Sequence, residues 1–241
     1  MTVVPDRPAF VPARPRDFRS LVERLRPSIA EPAVAYDVSQ ALEECYAVSV
    51  ALAPVSPYVP VNASASWAEL AATESLAAPC RGFEGLRIDP GEVMTLLRHS
   101  AAQGDARARA RMLLLRDVAA SKDDALRELP AMLATLDGGV VRDVGAFLAR
   151  GETEISLGGE TVTARVSAIA WELAACDLGY DCGPSARITL AQCAFGGACG
   201  GGYEEALAAT EPVEDLARAR RLRPALVHAL LARDWRWLGL D

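Results

Sequence analysis

Four of the six cysteines fall within CDLGYDCGPSARITLAQCAFGGAC, residues 176–199. Thiols at that density have three chemical uses: thiolate ligands for a metal, a redox pair, or disulfide staples. Cys176 and Cys182 are separated by five residues, as are Cys193 and Cys199. Structural zinc sites grip the metal through tighter knuckles of roughly two to four intervening residues. A redox pair needs a C-x-x-C spacing. Neither spacing occurs here, and neither histidine lies in the cluster. An even count beside glycine-rich loops fits disulfides best, with metal and buried reduced thiols as the alternatives. Cys45 and Cys80 then form a third bridge. Of the three pairings open to the other four, 176 with 193 and 182 with 199 is preferred, because it ties consecutive segments together.

Other groups offer less chemistry. His99 and His228 are the only histidines and lie far apart in the chain; each reads as a boundary residue making an ordinary hydrogen bond. The acidic neighbours Glu43/Glu44, Asp123/Asp124 and Glu204/Glu205 point about 100° apart on a helix, so no pair converges on one substrate. Arg107, Arg109, Arg111 and Arg116, and later Arg218, Arg220, Arg221 and Arg223, spread over helix surfaces rather than forming one nucleic-acid strip. No H-E-x-x-H, G-x-S-x-G or phosphate-binding glycine loop is present, since GGACGGG lacks the following Lys-Ser/Thr. No catalytic residue, metal ligand or cofactor is therefore assigned.

The elements that position these groups are helical. The 241 residues are 51% hydrophobic and only 6% aromatic, rich in Ala and Leu, which enter helices at little cost. A net charge of −7 argues against nonspecific nucleic-acid binding. No apolar run reaches the roughly 18 residues that span a membrane. Residues 1–16, proline-rich and without an apolar signal core, read as a flexible leader. Helices are expected at 17–26, from Asp37 onward, from Ser66 (a capping box with Glu69) to Pro79, and from Asp89. A further helix follows Gly104 and Asp105. The next starts at Ser121, which can pair with Asp124, and is kinked or shortened by Pro130. A proline-rich loop at 54–64 carries the short, common Asn62-Ala-Ser pattern of glycosylation. EISLGGETV, 154–162, is a hairpin signal around two glycines. Thr163 then caps a helix, another runs from Pro184 to Phe195, and Pro224 separates two short C-terminal helices. Trp235 and Trp237 could close one edge of the core.

The segment 164–200, with AWELAACDLGYDCGPSAR and CAFGGAC, resembles uncharacterised cysteine-containing secreted or lipoprotein-like helical proteins of gammaproteobacteria. LLRHSAAQGDARARARMLLL, 96–115, resembles one helix pair of a Sel1 or tetratricopeptide-like repeat, without a second full copy. These resemblances imply a periplasmic or surface-associated helical protein.

The expected fold is all-α: an irregular stack of antiparallel helical hairpins with one short β-hairpin, stabilised by disulfides at Cys45, Cys80, Cys176, Cys182, Cys193 and Cys199. Residues 17–241 form a single helical domain, with two lobes that would meet near 118–124. The expected role is non-catalytic: binding of a protein or envelope component in a helical groove, with Trp67, Trp235 and Trp237 as contact candidates. The rival is a carboxylate-based hydrolase acting on an envelope polymer. Disulfides point to the periplasm or the cell exterior, and six buried thiols would point to the cytoplasm.

Overall fold

Short polar side chains open several of the helices. Asp17 accepts from the amide of Arg19, Asp89 from Gly91, Asp137 from Val140 and Thr163 from Val166. Ser66 and Glu69 make the expected reciprocal capping box. The computed structural model describes residues 17–51, 66–115 and 122–240. The leader at 1–16, the 54–64 loop with Asn62, and the Ser121 cap lie outside these residues.

In chain order the helices are α1 (Phe18–Leu25), α2 (Pro32–Ala51), α3 (Trp67–Ala77), α4 (Pro90–Ala102), α5 (Ala106–Leu115), α6 (Lys122–Leu133) and α7 (Gly138–Ala149). The hairpin β1 (Glu154–Leu157) and β2 (Glu160–Thr163) follows, then α8 (Ala164–Asp177), α9 (Arg187–Ala194), α10 (Tyr203–Thr210) and α11 (Val213–Ala232). The fold is all-α, built of stacked helical hairpins with this one ribbon. No described helix is long and apolar enough to cross a membrane. The α4–α5 pair turns at Gly104, whose φ of 92° suits glycine, and Asp105 accepts from the amide of Ala108. The ribbon is antiparallel, with Ile155 opposite Val162, and turns through Gly158 and Gly159 at φ 63° and 77°.

Two clusters of apolar side chains form the core. The smaller joins Phe18 and Val22 of α1 to Val38, Leu42 and Cys45 of α2, with Cys80 and Val93. The larger surrounds Trp171 of α8, which is only 1% exposed, and takes in α5, α6, α7, the hairpin, α10 and α11. Trp235 and Trp237 pack partly buried against this cluster, closing its edge over the hairpin. There the Gly158 amide donates to the Trp237 carbonyl at 3.0 Å. Buried Ser100 ties α4 to the start of α2, its hydroxyl donating to the Pro32 carbonyl at 2.7 Å.

Three expectations are corrected. Helix α2 begins at Pro32 rather than Asp37, because proline suits a first turn and leaves no amide unsatisfied there. Pro224 lies inside one helix, α11, rather than between two. An internal proline costs about 3 kcal/mol. The α11 stripe of Leu216, Ala219, Leu222, Leu226 and Leu230 is buried, packs along α8 and spans Pro224 on both sides, which outweighs that cost. Likewise α9 starts at Arg187, three residues beyond Pro184.

The bridge between Cys45 and Cys80 is present, with 5.2 Å between their Cα atoms. The other pairing differs from expectation: Cys176 bonds Cys182, and Cys193 bonds Cys199, with Cα separations of 5.7 and 4.9 Å. The reason is local. After α8 the chain reverses at Gly179, φ 92°, and after α9 at Gly196, φ 98°, so each second cysteine returns beside its own helix end. Each short bridge is a clip on a helix C-terminus. Together they hold the two ends of the segment carrying α9.

Candidate functional site

Helices α2, α3, α5, α7 and α9 surround a cavity of about 460 Å³. One side is apolar, formed by Val48 of α2, Leu76 of α3, and Ile188, Ala191 and Phe195 on or beside α9. Phe195 stands at the rim, 78% exposed. The opposite side is polar: Tyr36 and Gln40 from α2, Arg111 from α5, Arg142 and Asp143 from α7, and Tyr180 from the loop after α8. A tight backbone contact sets the position of α7. A Cβ on Gly138 would sit 2.5 Å from the Tyr180 nitrogen and 2.8 Å from the Ala175 oxygen, so only glycine lets the helix start there.

The polar side is a chain of ion pairs. Glu43 holds Arg111 through both carboxylate oxygens, one at 3.3 Å from Nε. Asp143, only 6% exposed, lies 3.9 Å from Arg111 Nη1 and accepts from Arg142 Nη1 at 3.3 Å. The Arg142 guanidinium lies 5.4 Å from the Tyr180 ring centroid, and Arg107 stacks 4.4 Å from that of Tyr36. Arg142 Nε is buried and has no acceptor among the described residues. Arg187, at the apolar side, reaches Glu44 at 3.5 Å.

Burial raises the Asp143 carboxyl above its ordinary 3.8, against the pull of Arg111 and then Arg142. A raised carboxyl contributes stability below its ordinary value and loses that contribution as pH climbs through the raised value. Wild type is therefore expected to lose stability relative to Asp143→Asn as pH rises from 3.8. Urea midpoints of both proteins across about pH 4 to 8 check this, and a constant difference would refute it.

The sequence-derived contact candidates lie elsewhere. Trp67 is 88% exposed at the first turn of α3, Trp237 sits against the hairpin at Gly158 and Trp235 packs on the larger cluster; none of the three lines the cavity. His99 and His228 are both exposed, and neither lines it. All six cysteines are bridged, which leaves no thiolate to act as ligand or nucleophile.

The arginines require a correction. Arg107 and Arg111 face α2 rather than solvent, pairing with Asp37 and Glu43. Their spacing of four residues is the signal that puts them on one face of α5. Arg142 and Asp143 were legible too, as a charged pair interrupting the apolar run Val140, Val141 and Val144. Compared with known proteins, the chain matches no family model, no curated protein and no solved structure.

Proposed function

We propose that this chain is a non-catalytic binding protein of the bacterial envelope, receiving part of a protein or envelope component in the cavity beside α9. The observation that carries the reading is the cavity's division into an apolar side and an ion-paired polar side. Its size of about 460 Å³ falls within the roughly 300–1,000 Å³ usual for ligand sites. Binding is favoured over hydrolysis because Asp143 is the only carboxylate among the described residues lining it. A carboxylate hydrolase of glycosidic type needs two facing carboxyls, one of them free to give or take a proton. Asp143 is engaged by two guanidiniums, and Glu43, the next carboxylate in the same chain of pairs, is held by Arg111 and does not line the cavity. The three bridges support an oxidising compartment, the periplasm or the exterior.

An uncharged environment-sensitive dye such as Nile red tests the reading. Saturable binding is expected in wild type, and loss of it in Ala191→Trp, which fills the apolar side, with the thermal midpoint retained. Absence of saturable binding, or binding indifferent to Ala191→Trp, would sink the proposal.

A further inference from the structure

We infer that the cavity's ligand is an alkyl carboxylate, its oxyanion held by Arg142 and its chain laid along the apolar side toward Phe195. This rests on the reading of the cavity as a binding site and names the chemistry it selects.

The head group follows from which charges are already satisfied. Arg111 is engaged by Glu43, and Asp143 is shared between Arg111 and Arg142. A cationic ligand would find no unclaimed carboxylate among the lining residues. Arg142 is the under-used group. It lines the cavity with 31% of its side chain exposed, and Nη1 makes one long contact, 3.3 Å, to Asp143. Its Nε is buried and has no acceptor among the described residues. In a guanidinium the Nε–H and Nη2–H bonds point the same way, a fork that matches two carboxylate oxygens. An oxyanion at this edge, with the side chain turning slightly to meet it, supplies the missing acceptor. The Tyr180 ring supports the guanidinium plane in that orientation.

The tail follows from the opposite side. Val48, Leu76, Ile188, Ala191 and Phe195 offer apolar contact area, and the two polar side chains beside them are engaged, Thr73 donating to the Glu69 carbonyl at 2.8 Å and Arg187 reaching Glu44. A peptide backbone there would lose its water partners unreplaced, whereas methylenes lose nothing. An aliphatic chain therefore suits this side better than a peptide ending in a free carboxylate.

Calorimetric titration of the full chain with decanoate, decanol and decylamine, each below its aggregation threshold, tests the assignment. Decanoate is expected to bind about tenfold or more tighter than decanol, the gain of a charge-assisted contact. Affinity should rise about fourfold per methylene from octanoate to decanoate. Arg142→Gln should bring decanoate down to the level of decanol and leave decanol unchanged. Equal binding of decanoate and decanol in wild type would overturn the carboxylate assignment and leave the cavity as a binding site. Tighter binding of decylamine, or of an apolar tripeptide with a free C-terminus, would overturn it as well. Failure of all three decyl compounds, together with Nile red, would remove the binding reading itself. Should Arg142→Gln fold poorly, the wild-type comparison alone decides.

Discussion

Replacing Cys45 and Cys80 together by alanine is expected to cost about 4 kcal/mol of stability, roughly twice the ~2 kcal/mol expected for removing either short bridge. The difference comes from the chain segment each bridge closes: 35 residues of separation for Cys45–Cys80, against 6 for Cys176–Cys182 and 6 for Cys193–Cys199. A longer closed loop removes more conformations from the unfolded chain. The loss also falls where little else compensates. Cys45 and Cys80 are themselves members of the smaller cluster, whose other apolar members from α1 and α2 are few. Urea unfolding should therefore show an early transition of α1, α2 and α4, with amide protection lost there first and retained in α8 and α11. The cavity should fail with it, because α2 carries Val48 and the Glu43 that anchors Arg111. Equal costs for the three bridges would show that loop closure is not their source of stability. A loss of this size on reduction would support the oxidising compartment proposed above.

Local signals in the sequence were reliable at most positions where one residue answers one physical need, although the helix starts expected at Asp37 and Pro184 moved to Pro32 and Arg187. Ser66 with Glu69, Asp89, Asp105 and Thr163 open helices because each oxygen meets an amide that the helix leaves unpaired. The glycine pair at 158 and 159 makes the hairpin turn because both positions need positive φ. Readings that depended on a partner distant in sequence fared differently. Pro224 stays inside α11 because α8 lies alongside, and nothing near Pro224 in the sequence reports that neighbour. The bridges close within their own loops because Gly179 and Gly196 reverse the chain. The expected pairing instead tied consecutive segments to one another. The cavity was hidden for a related reason. The spacing of Arg107 and Arg111 and the apolar run around Arg142 mark inward faces, but only the packing of α5 on α7 and the ion pairs from α2 bring Arg111 and Arg142 to one cavity. Its apolar side depends on α9 standing opposite α3, 110 or more residues away in the chain.

Gly145→Ala is expected to cost about 3 kcal/mol or more, although alanine is the better helix former by about 1 kcal/mol. Gly145 sits inside α7, and a Cβ there would lie 2.3 Å from Trp171 Cβ, 2.5 Å from Cγ and 3.0 Å from Cδ2. Real side-chain carbons do not approach so closely, so something must move. The first atom met is the Cβ of Trp171, which no rotamer change can withdraw. The ring cannot swing away either, because Trp171 is among the largest fully buried side chains of the core. The strain must therefore be relieved by separating α7 from α8, and interiors packed to crystal density resist that. Gly139→Ala, in the same helix, is the control. Its added Cβ meets only one atom, the Asp137 Oδ1 at 3.1 Å, so the change should stay within about 1 kcal/mol of wild type. Comparing urea midpoints and slopes of the two variants separates close packing from helix propensity, and equal costs would refute the packing account. The displacement also has a functional signature. Arg142 and Asp143 lie three and two residues before Gly145 on α7, and Trp171 lies five residues before Cys176 on α8. Spreading these helices draws Arg142 away from Tyr180, which the loop beyond α8 carries. Gly145→Ala should thus weaken decanoate binding more than decanol binding, even at temperatures where the variant is still folded.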